Sequence, residues 1–254
     1  MNKGIRRNEI MVMLKTNSSM SVNDILSKSV ASPATVRKDL TYLEQKGLIS
    51  RTRGYAHLVP EPPVTEFSSR ESSHSEEKRK IAKIAARLVE DHDSIILDSG
   101  TTTLEIAKEL VNHKDLTIVT NSIAVAAVLV NSSVNVLMSG GILKKPVLSL
   151  VGPDTEAYFK RIEASKLFLC ANGVRSTIGL TTTSPFELNI KRNMINAANK
   201  IYAVLDSSKF NTTSIDLFCE FSEIDCVITD KPIEDPDLMA MFHKLNIDVL
   251  CELT

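Results

Sequence analysis

The sequence predicts an α/β protein of two domains: a small N-terminal domain of helices and a hairpin, and a larger domain built on a parallel sheet. Up to residue 59 the apolar pattern indicates three helices followed by two short strands. Beyond residue 75, short apolar runs typical of strands alternate with stretches typical of helices. Such alternation is typical of a doubly wound sheet with helices on both faces. The 254 residues, 43% of them hydrophobic, suffice for both domains.

A linker is predicted between the two domains, from residue 60 to residue 75. It reads PEPPVTEFSSRESSHS and lacks helical or strand periodicity. It ends in Ser73-His-Ser-Glu76, the pattern of a capping box, so we expect a helix from Glu76 to about Glu90. The domains are therefore predicted at residues 1–59 and 76–254.

Charge divides the chain at the same place. Before Pro60 there are ten basic and four acidic residues, which is a net charge of about +6. The formal net charge of the whole chain is -1, so the remainder carries about -7. A basic module on an acidic body indicates a polyanionic partner for the N-terminal domain alone.

Several classes of protein are not predicted by this composition. The longest apolar run, from Ile123 to Val130, is far shorter than the ~20 residues of a membrane span. Asn8 and Glu9 interrupt the N-terminal stretch, which does not read as a signal peptide. The four cysteines form no C-x-x-C pair, and no His or Cys cluster has metal-ligand spacing. We therefore expect a cytoplasmic protein with reduced thiols and without a metal, a cofactor or a membrane partner.

Two helices joined by a short turn are predicted between residues 21 and 46. The first begins at the capping-box-like Ser21–Asp24. The second has Ser32 as its N-cap and Pro33 as its first helical residue, both preferred there. It ends at Gly47, a natural C-terminal cap.

The second of these helices has the layout of a DNA recognition helix. Val36, Leu40 and Leu43 recur at helical spacing and should face the core. The polar side chains then point outward, and those near the N-terminus of the helix would meet base edges in the major groove. Arg37 suits guanine or phosphate, and Lys38 suits phosphate.

Two short strands around Gly54 would add a wing to this helix pair. Arg51 and Arg53 lie where a wing would reach the DNA backbone or the minor groove. On these patterns alone, a solvated basic surface or a protein-docking module stands as the alternative to DNA binding. The residues predicted to contact DNA are Ser32, Ala34, Thr35, Arg37, Lys38, Thr41, Arg51, Arg53 and Tyr55.

This segment closely resembles the DNA-binding half of the DeoR family of bacterial sugar-metabolism repressors. The family pattern is a serine, two variable residues, T-I-R-R-D-L, a Leu-Glu pair, a glycine, and a basic turn with Gly-Gly-Ala. Here it reads Ser32-Pro-Ala-Thr35-Val36-Arg37-Lys38-Asp39-Leu40, Leu43-Glu44, Gly47 and Arg53-Gly54-Tyr55-Ala56. Val36, Lys38 and Tyr55 depart from it, and Lys does not make the bidentate contact of Arg. The resemblance implies a winged helix-turn-helix that binds operator DNA.

The larger domain is predicted to place ligands at the carboxyl ends of its strands, as doubly wound sheets do. Helices are predicted at Leu104–Val111, Ile123–Asn131 and Pro185–Ala198. The predicted strands lie near Ser94–Asp98, Leu116–Thr120, Val134–Met138, Lys166–Cys170, Lys200–Leu205, Cys226–Thr229 and Ile247–Cys251.

The sharpest candidate for a ligand site is the stretch D-S-G-T-T-T from Asp98 to Thr103. It follows a predicted strand and opens a helix. Gly100 lets the backbone approach a ligand, and the free N–H groups of the first helical turn suit an anion, most simply a phosphate. Neither a P-loop nor a G-x-G-x-x-G motif is present, so nucleotide hydrolysis and dinucleotide binding are not predicted. A capped helix without a ligand is the alternative.

Small polar residues recur after other predicted strands, at residues 120–122, 139–141 and 206–209. Lys209 would supply a positive charge for a phosphate. Glu187, in the capping box that begins at Ser184, is a weaker candidate, and Lys191 and Arg192 are expected to be solvated helix charges. The predicted effector-binding residues are Asp98, Gly100, Thr101, Thr102, Thr103, Asn121, Ser122, Gly140, Gly141 and Lys209.

The same motifs resemble the sensor domain of the DeoR family, which is similar in fold to ribose-5-phosphate isomerase. They are D-S-G-T-T-T, T-N-S, G-G, the stretch Gly179–Thr182 and D-S-S-K-F from Asp206 to Phe210. His92 departs from the glycine that the family usually has there. The resemblance implies a phosphorylated sugar or sugar alcohol as effector, whose binding weakens the grip on DNA.

The sequence therefore predicts a regulator that is not an enzyme, most simply a repressor of a sugar-catabolism operon. An activator of the same operon type is an alternative. A sugar-phosphate isomerase is another, with Asp98, Asp206 or Glu187 as its general base. Self-association is expected because paired half-sites need paired DNA-binding modules.

Overall fold

The computed structural model describes residues 3–17, 19–45, 48–58 and 67–252. The chain falls into two compact units, which divide between residues 63 and 64. The predicted helix cap Gly47 and residues 60–66 of the predicted linker lie outside the described residues. Within the described ranges, no helix has the length and apolar character needed to cross a membrane.

The N-terminal unit is a winged helix. Its strands form one antiparallel sheet in the order β1-β3-β2, and Gly54, with φ +81°, lies in the turn between β2 and β3. Strand β1 is not predicted from the sequence, since three residues are too few to show an alternation. The elements are α1 (Lys3–Asn17), β1 (Ser19–Ser21), α2 (Val22–Lys28), α3 (Pro33–Gln45), β2 (Ile49–Thr52) and β3 (Tyr55–Leu58).

The predicted helix starts of this unit are confirmed. The Ser21 side chain caps α2 by accepting a hydrogen bond from the Asp24 N–H at 3.0 Å. Ser32 precedes α3, and its Oγ lies 2.9 Å from the Thr35 hydroxyl. The apolar positions of α3 face the core as expected, since Val36, Leu40 and Leu43 are at most 2% exposed.

A buried carboxylate joins α3 to α1. Asp39 is 1% exposed and accepts hydrogen bonds from the Nε atoms of Arg6 and Arg7, the latter at 2.8 Å. The Arg7 guanidinium also lies 3.6 Å from the centre of the Tyr42 ring. Burial alone raises the pKa of Asp39, but the hydrogen bonds from the two arginines hold the pKa below its ordinary 3.8. Helix α3 is therefore held to α1 by charge as well as by apolar packing.

Replacement of Asp39 by Asn is expected to lower the free energy of unfolding of this unit by about 3 kcal/mol, because it breaks a buried ion pair. The control is Glu44→Gln, which removes an exposed partner of Arg51 and should cost under about 1 kcal/mol. Urea titrations of both variants measure the difference. Because the folded-state pKa of Asp39 is lowered, its contribution is full above about pH 4 and is lost as the pH falls further. Equal losses in the two variants at pH 7 would contradict this role.

The C-terminal unit alternates helices with strands along most of its length. Its helices are α4 (Phe67–Ser72), α5 (Ser75–Ala86), α6 (Thr101–Glu109), α7 (Ile123–Leu129), α8 (Pro153–Phe159), α9 (Pro185–Asn196) and α10 (Pro236–Leu245). Its strands are β4 (Ser94–Leu97), β5 (Thr117–Thr120), β6 (Asn135–Met138), β7 (Ile142–Lys144), β8 (Ser149–Val151), β9 (Ala164–Leu169), β10 (Gly173–Arg175), β11 (Gly179–Thr182), β12 (Ala198–Val204), β13 (Asp216–Glu220), β14 (Cys226–Ile228) and β15 (Asp248–Leu250).

The seven strands predicted from the sequence form a single parallel sheet in the order β15-β14-β12-β9-β4-β5-β6. Along β4 the side chains alternate: Ile95 and Leu97 pack with α5, α6 and α7, whereas Ile96 packs with α8, α9 and α10. Helices therefore cover both faces, and the predicted doubly wound fold is confirmed. The hairpin β7-β8 and the antiparallel sheet β10-β11-β13 are additions that the sequence did not predict.

The structure differs from the sequence prediction between residues 67 and 76. Residues 67–72 form α4 instead of linker, since the Phe67 side chain is buried and Lys78 Nζ donates to the carbonyls of Arg70 and Ser73. The predicted capping box is wrong. His74, with φ 53°, occupies the N-cap of α5 without a side-chain hydrogen bond, and the helix begins at Ser75. It ends at Ala86, earlier than the expected Glu90.

Candidate functional site

A cavity of about 300 Å³ opens at the carboxyl ends of β4, β9 and β12. Three loops that follow these strands line it with Gly100–Thr102, Cys170–Asn172 and residues of the segment Asp206–Lys209. The fourth side comes from α4, α5 and the turn between them, through Ser69, Arg70, Ser73, His74 and Lys78. The position is the one at which doubly wound sheets bind their ligands.

Asp98 is not part of this lining, but it joins three elements through Ser99, Cys170 and Lys191. The carboxylate is 1% exposed, forms an ion pair with Lys191 of α9, and accepts hydrogen bonds from the N–H groups of Ser99 at 2.7 Å and Cys170 at 3.1 Å. Lys191 Nζ also donates to the Cys170 carbonyl at 3.0 Å. Asp98 therefore holds the loop after β9 and helix α9 against the end of β4.

The expectation that Lys191 and Arg192 are solvated is wrong for Lys191. Lys191 is 4% exposed; burial alone lowers its pKa, but the charges of Asp98 and Glu187 raise the pKa above its ordinary 10.5. Arg192 is partly exposed and paired with Glu223, whose Oε2 lies 2.6 Å from Nη1. The sequence pattern places Lys191 on a predicted helix. It does not reveal the partner, Asp98, because the two residues are 93 positions apart in the chain.

The first turn of α6 lies at the mouth of the cavity. Thr103 is fully buried and closes this turn: its Oγ1 accepts from the Gly100 N–H at 3.1 Å and donates to the Gly100 carbonyl at 2.8 Å. Thr101 and Thr102 face the cavity. A helix N-terminus leaves backbone N–H groups without intrahelical partners, which suits an anion.

Three cationic side chains reach the same cavity, from Arg70, Lys78 and Lys209. Burial lowers the pKa of Lys78, and the charges of Lys209 and Arg70 lower it further, while Asp206 raises it. The sequence prediction named only Lys209. Arg70 falls in the predicted linker and Lys78 in the first turn of the helix predicted from Glu76, and no local pattern distinguishes them from solvated charges.

The cavity also contains one buried carboxylate, Asp206, which is 1% exposed. Its Oδ1 accepts hydrogen bonds from the N–H and the hydroxyl of Ser208, the former at 3.2 Å. Lys209 Nζ lies 3.9 Å from its Oδ2. Asp206 is one of the three residues that the sequence offered as the general base of a sugar-phosphate isomerase. The other two, Asp98 and Glu187, are in ion pairs with Lys191 and with Lys144.

Six of the ten predicted effector residues are not part of the cavity lining that the described residues form. Asp98 and Thr103 hold the loops next to it, and the other four have different surroundings. Asn121 Nδ2 donates to the Leu150 carbonyl at 3.0 Å, and Ser122 caps α7. The Gly140 carbonyl accepts a hydrogen bond from Thr155 at 2.6 Å. Gly141 has φ +133°, a conformation that favours glycine.

The N-terminal unit presents its predicted DNA-binding residues on α3 and on the wing. Ser32, Ala34, Arg37 and Lys38 are exposed, whereas Thr35 and Thr41 are half-buried. Thr41 Oγ1 donates to the Arg37 carbonyl at 3.0 Å. On the wing Arg53 is exposed, Arg51 is paired with Glu44, and the exposed Tyr55 ring stacks on His57 with 6.3 Å between ring centres.

Two family models match the chain. The model of the DeoR C-terminal sensor domain covers residues 73–231, and that of the DeoR-like helix-turn-helix domain covers residues 6–61. The chain belongs to the DeoR family. This DeoR-family chain is 31% identical to the transcriptional regulator IolR of Bacillus subtilis, over 92% of its own length and 93% of the relative's.

Two further relatives are named as repressors. A putative aga operon transcriptional repressor of Escherichia coli O157:H7 is 33% identical, over 96% of this chain and 92% of its own. A lactose phosphotransferase system repressor of Staphylococcus epidermidis is 33% identical, over 91% of this chain and 93% of the relative's length. Part of the fold is also similar to ribose 5-phosphate isomerase A from Methanocaldococcus jannaschii, with 18% identity and a TM-score of 0.41 over 54% of this chain and 55% of that one.

Replacement of Gly100 by Ala is expected to destabilise the C-terminal unit by about 1–3 kcal/mol through overpacking. A Cβ atom there would overlap Cys170 Sγ and lie 2.8 Å from Cys170 Cβ. The control is Gly140→Ala, whose Cβ would have Asp154 Cβ as its nearest neighbour at 3.8 Å, an ordinary contact. Its effect should stay within about 0.5 kcal/mol. Thermal unfolding of both variants measures the difference, and a neutral Gly100 variant would contradict the close packing.

Proposed function

We propose that the chain is a transcriptional repressor of a sugar-catabolism operon, released from its operator when a phosphorylated sugar or sugar alcohol binds in the cavity. The observation that carries this proposal is the convergence of Arg70, Lys78 and Lys209 on a polar cavity, in a chain whose other unit is a winged helix. The names of two relatives, repressors of an aga operon and of a lactose phosphotransferase system, support it.

The DNA-binding half of the proposal follows from the exposed face of α3. Arg37 is the side chain that we expect to read a base, because its guanidinium suits the acceptors of guanine. Lys38 and the wing residue Arg53 would contact phosphates. We propose that the chain binds as a homo-oligomer in the cytoplasm, because two winged helices are needed to contact two half-sites.

The effector half follows from the volume and charge of the cavity. A volume of about 300 Å³ lies at the small end of ligand pockets, which suits a compact polar metabolite. The first turn of α6 and the three cations favour an anion there. Binding would release DNA if the effector binds more tightly to a conformation with low operator affinity.

Two substitutions on α3 test the DNA-binding half. Arg37→Ala should cost about 1–3 kcal/mol of operator affinity and relax specificity at one base position. Lys38→Ala should weaken binding to all sequences alike and reduce the salt dependence by about one phosphate contact. The control is Lys83→Ala, which removes one positive charge from the exposed face of α5 and should change neither the operator affinity nor its salt dependence. Gel-shift titrations at several salt concentrations measure all three. Unchanged operator affinity in Arg37→Ala would remove this residue from the recognition surface.

Replacement of Lys209 by Ala tests the effector half. The variant should bind operator DNA like the unmodified chain, but it should no longer be released by the phosphorylated sugars that release that chain. The control is Lys200→Ala, an exposed cation on β12 that is not part of the cavity lining described here. A panel of aldose and ketose phosphates, added to the protein–DNA complex, provides the measurement. A Lys209 variant that still responds would place the anion elsewhere, and turnover of any of these sugars would favour the isomerase alternative.

A further inference from the structure

The cavity has an unsatisfied acceptor at one position. Asp206 Oδ2 is buried and receives no hydrogen bond from any residue in the described part of the chain. A buried carboxylate oxygen left in this state is costly, so it indicates a donor that the ligand or solvent supplies. A sugar hydroxyl is such a donor, whereas a phosphate would be repelled by the carboxylate. Lys209, 3.9 Å away, offsets part of this negative charge.

Arg70, which lines the same cavity, has unsatisfied donors. Arg70 Nε and Nη2 are both buried, and neither has a hydrogen-bond partner among residues 3–17, 19–45, 48–58 and 67–252. These two nitrogens form one edge of the guanidinium, the fork that binds two oxygens of a phosphate or carboxylate at once. An unpaired buried fork is costly for the same reason as the unpaired carboxylate oxygen.

The backbone carbonyl of Arg70 contacts two of the other residues that line the cavity. The Arg70 carbonyl accepts a hydrogen bond from Lys78 Nζ and lies 3.5 Å from Thr101 Oγ1. Lys78 is itself 4% exposed and donates to the Ser73 carbonyl at 2.5 Å. Helix α4 is thereby joined both to α5 and to the first turn of α6, and Arg70, Lys78 and Thr101 all line the same cavity.

We propose that the cavity binds its ligand in one orientation, with the phosphate between the Arg70 fork, Lys78 and the first turn of α6, and with a ligand hydroxyl donating to Asp206 Oδ2. This inference rests on the proposed function, because it assumes a phosphorylated polyol in this cavity. It adds which group of the cavity binds each end of that ligand, and that α4, outside the predicted sensor domain, supplies the principal phosphate ligand.

The test measures the stabilisation of the full chain by inorganic phosphate and by the sugar phosphate that stabilises it most, using thermal shift titrations. Arg70→Ala and Arg70→Lys should both weaken the apparent affinity for inorganic phosphate at least about tenfold, because lysine keeps the charge but lacks the fork. The control is Arg79→Ala, which removes an exposed cation next to Lys78 in the sequence and should leave the affinity for inorganic phosphate unchanged. If Arg70→Ala fails to fold, Arg70→Lys decides.

Asp206→Asn should give the opposite pattern. It removes a negative charge, so inorganic phosphate should bind at least as tightly as before, but the extra affinity of the sugar phosphate over inorganic phosphate should be lost. Normal phosphate affinity in Arg70→Lys, or an undiminished sugar preference in Asp206→Asn, would overturn the orientation. In that case stabilisation of the unmodified chain by a sugar phosphate would leave the proposed function intact. If no phosphate compound stabilises the unmodified chain, the proposed function fails and the orientation with it.

Discussion

The ion pair between Asp98 and Lys191 is the interaction on which the cavity at the strand ends depends. Asp98 ends a central strand, Lys191 lies on a helix that covers one face of the sheet, and both bind the backbone of Cys170. A buried pair of this kind contributes little net stability, but the loss of one partner leaves an uncompensated charge. The pair therefore sets the relative positions of α6 and the loop after β9, between which the cavity opens.

Arginines serve different purposes in the two units. In the N-terminal unit Arg6 and Arg7 are paired with Asp39 and position α3, whereas Arg37 is exposed and is the residue that we propose reads DNA. In the sensor unit the acidic body surrounds a cavity with three cations. Both partners that we propose, operator DNA and a sugar phosphate, carry phosphate groups. The shape of each site distinguishes them, because a convex helix face fits a duplex groove and a small concave site excludes a duplex.

The sheet was predictable from the sequence because its five inner strands are largely buried and appear as continuous apolar runs. The strands β7, β8, β10, β11 and β13 are three to five residues long and mix polar with apolar positions, so they carry no comparable signal. Gly100, Thr101, Thr102 and Lys209 were found because they follow predicted strands. Arg70 and Lys78 were missed because composition assigned the first to a linker, and no helical pattern reveals that a lysine turns inward.

Helix α4 has a consequence for the construction of hybrid regulators. The composition of the sequence places a boundary after residue 75, yet Arg70 lines the proposed ligand cavity and its carbonyl accepts a hydrogen bond from Lys78 Nζ. A chimaera that exchanges DNA-binding modules at residue 75 would pair a foreign α4 with this cavity and dismantle part of its lining. The junction must precede Phe67 if the donor specificity for DNA and the recipient specificity for the inducer are to be inherited separately.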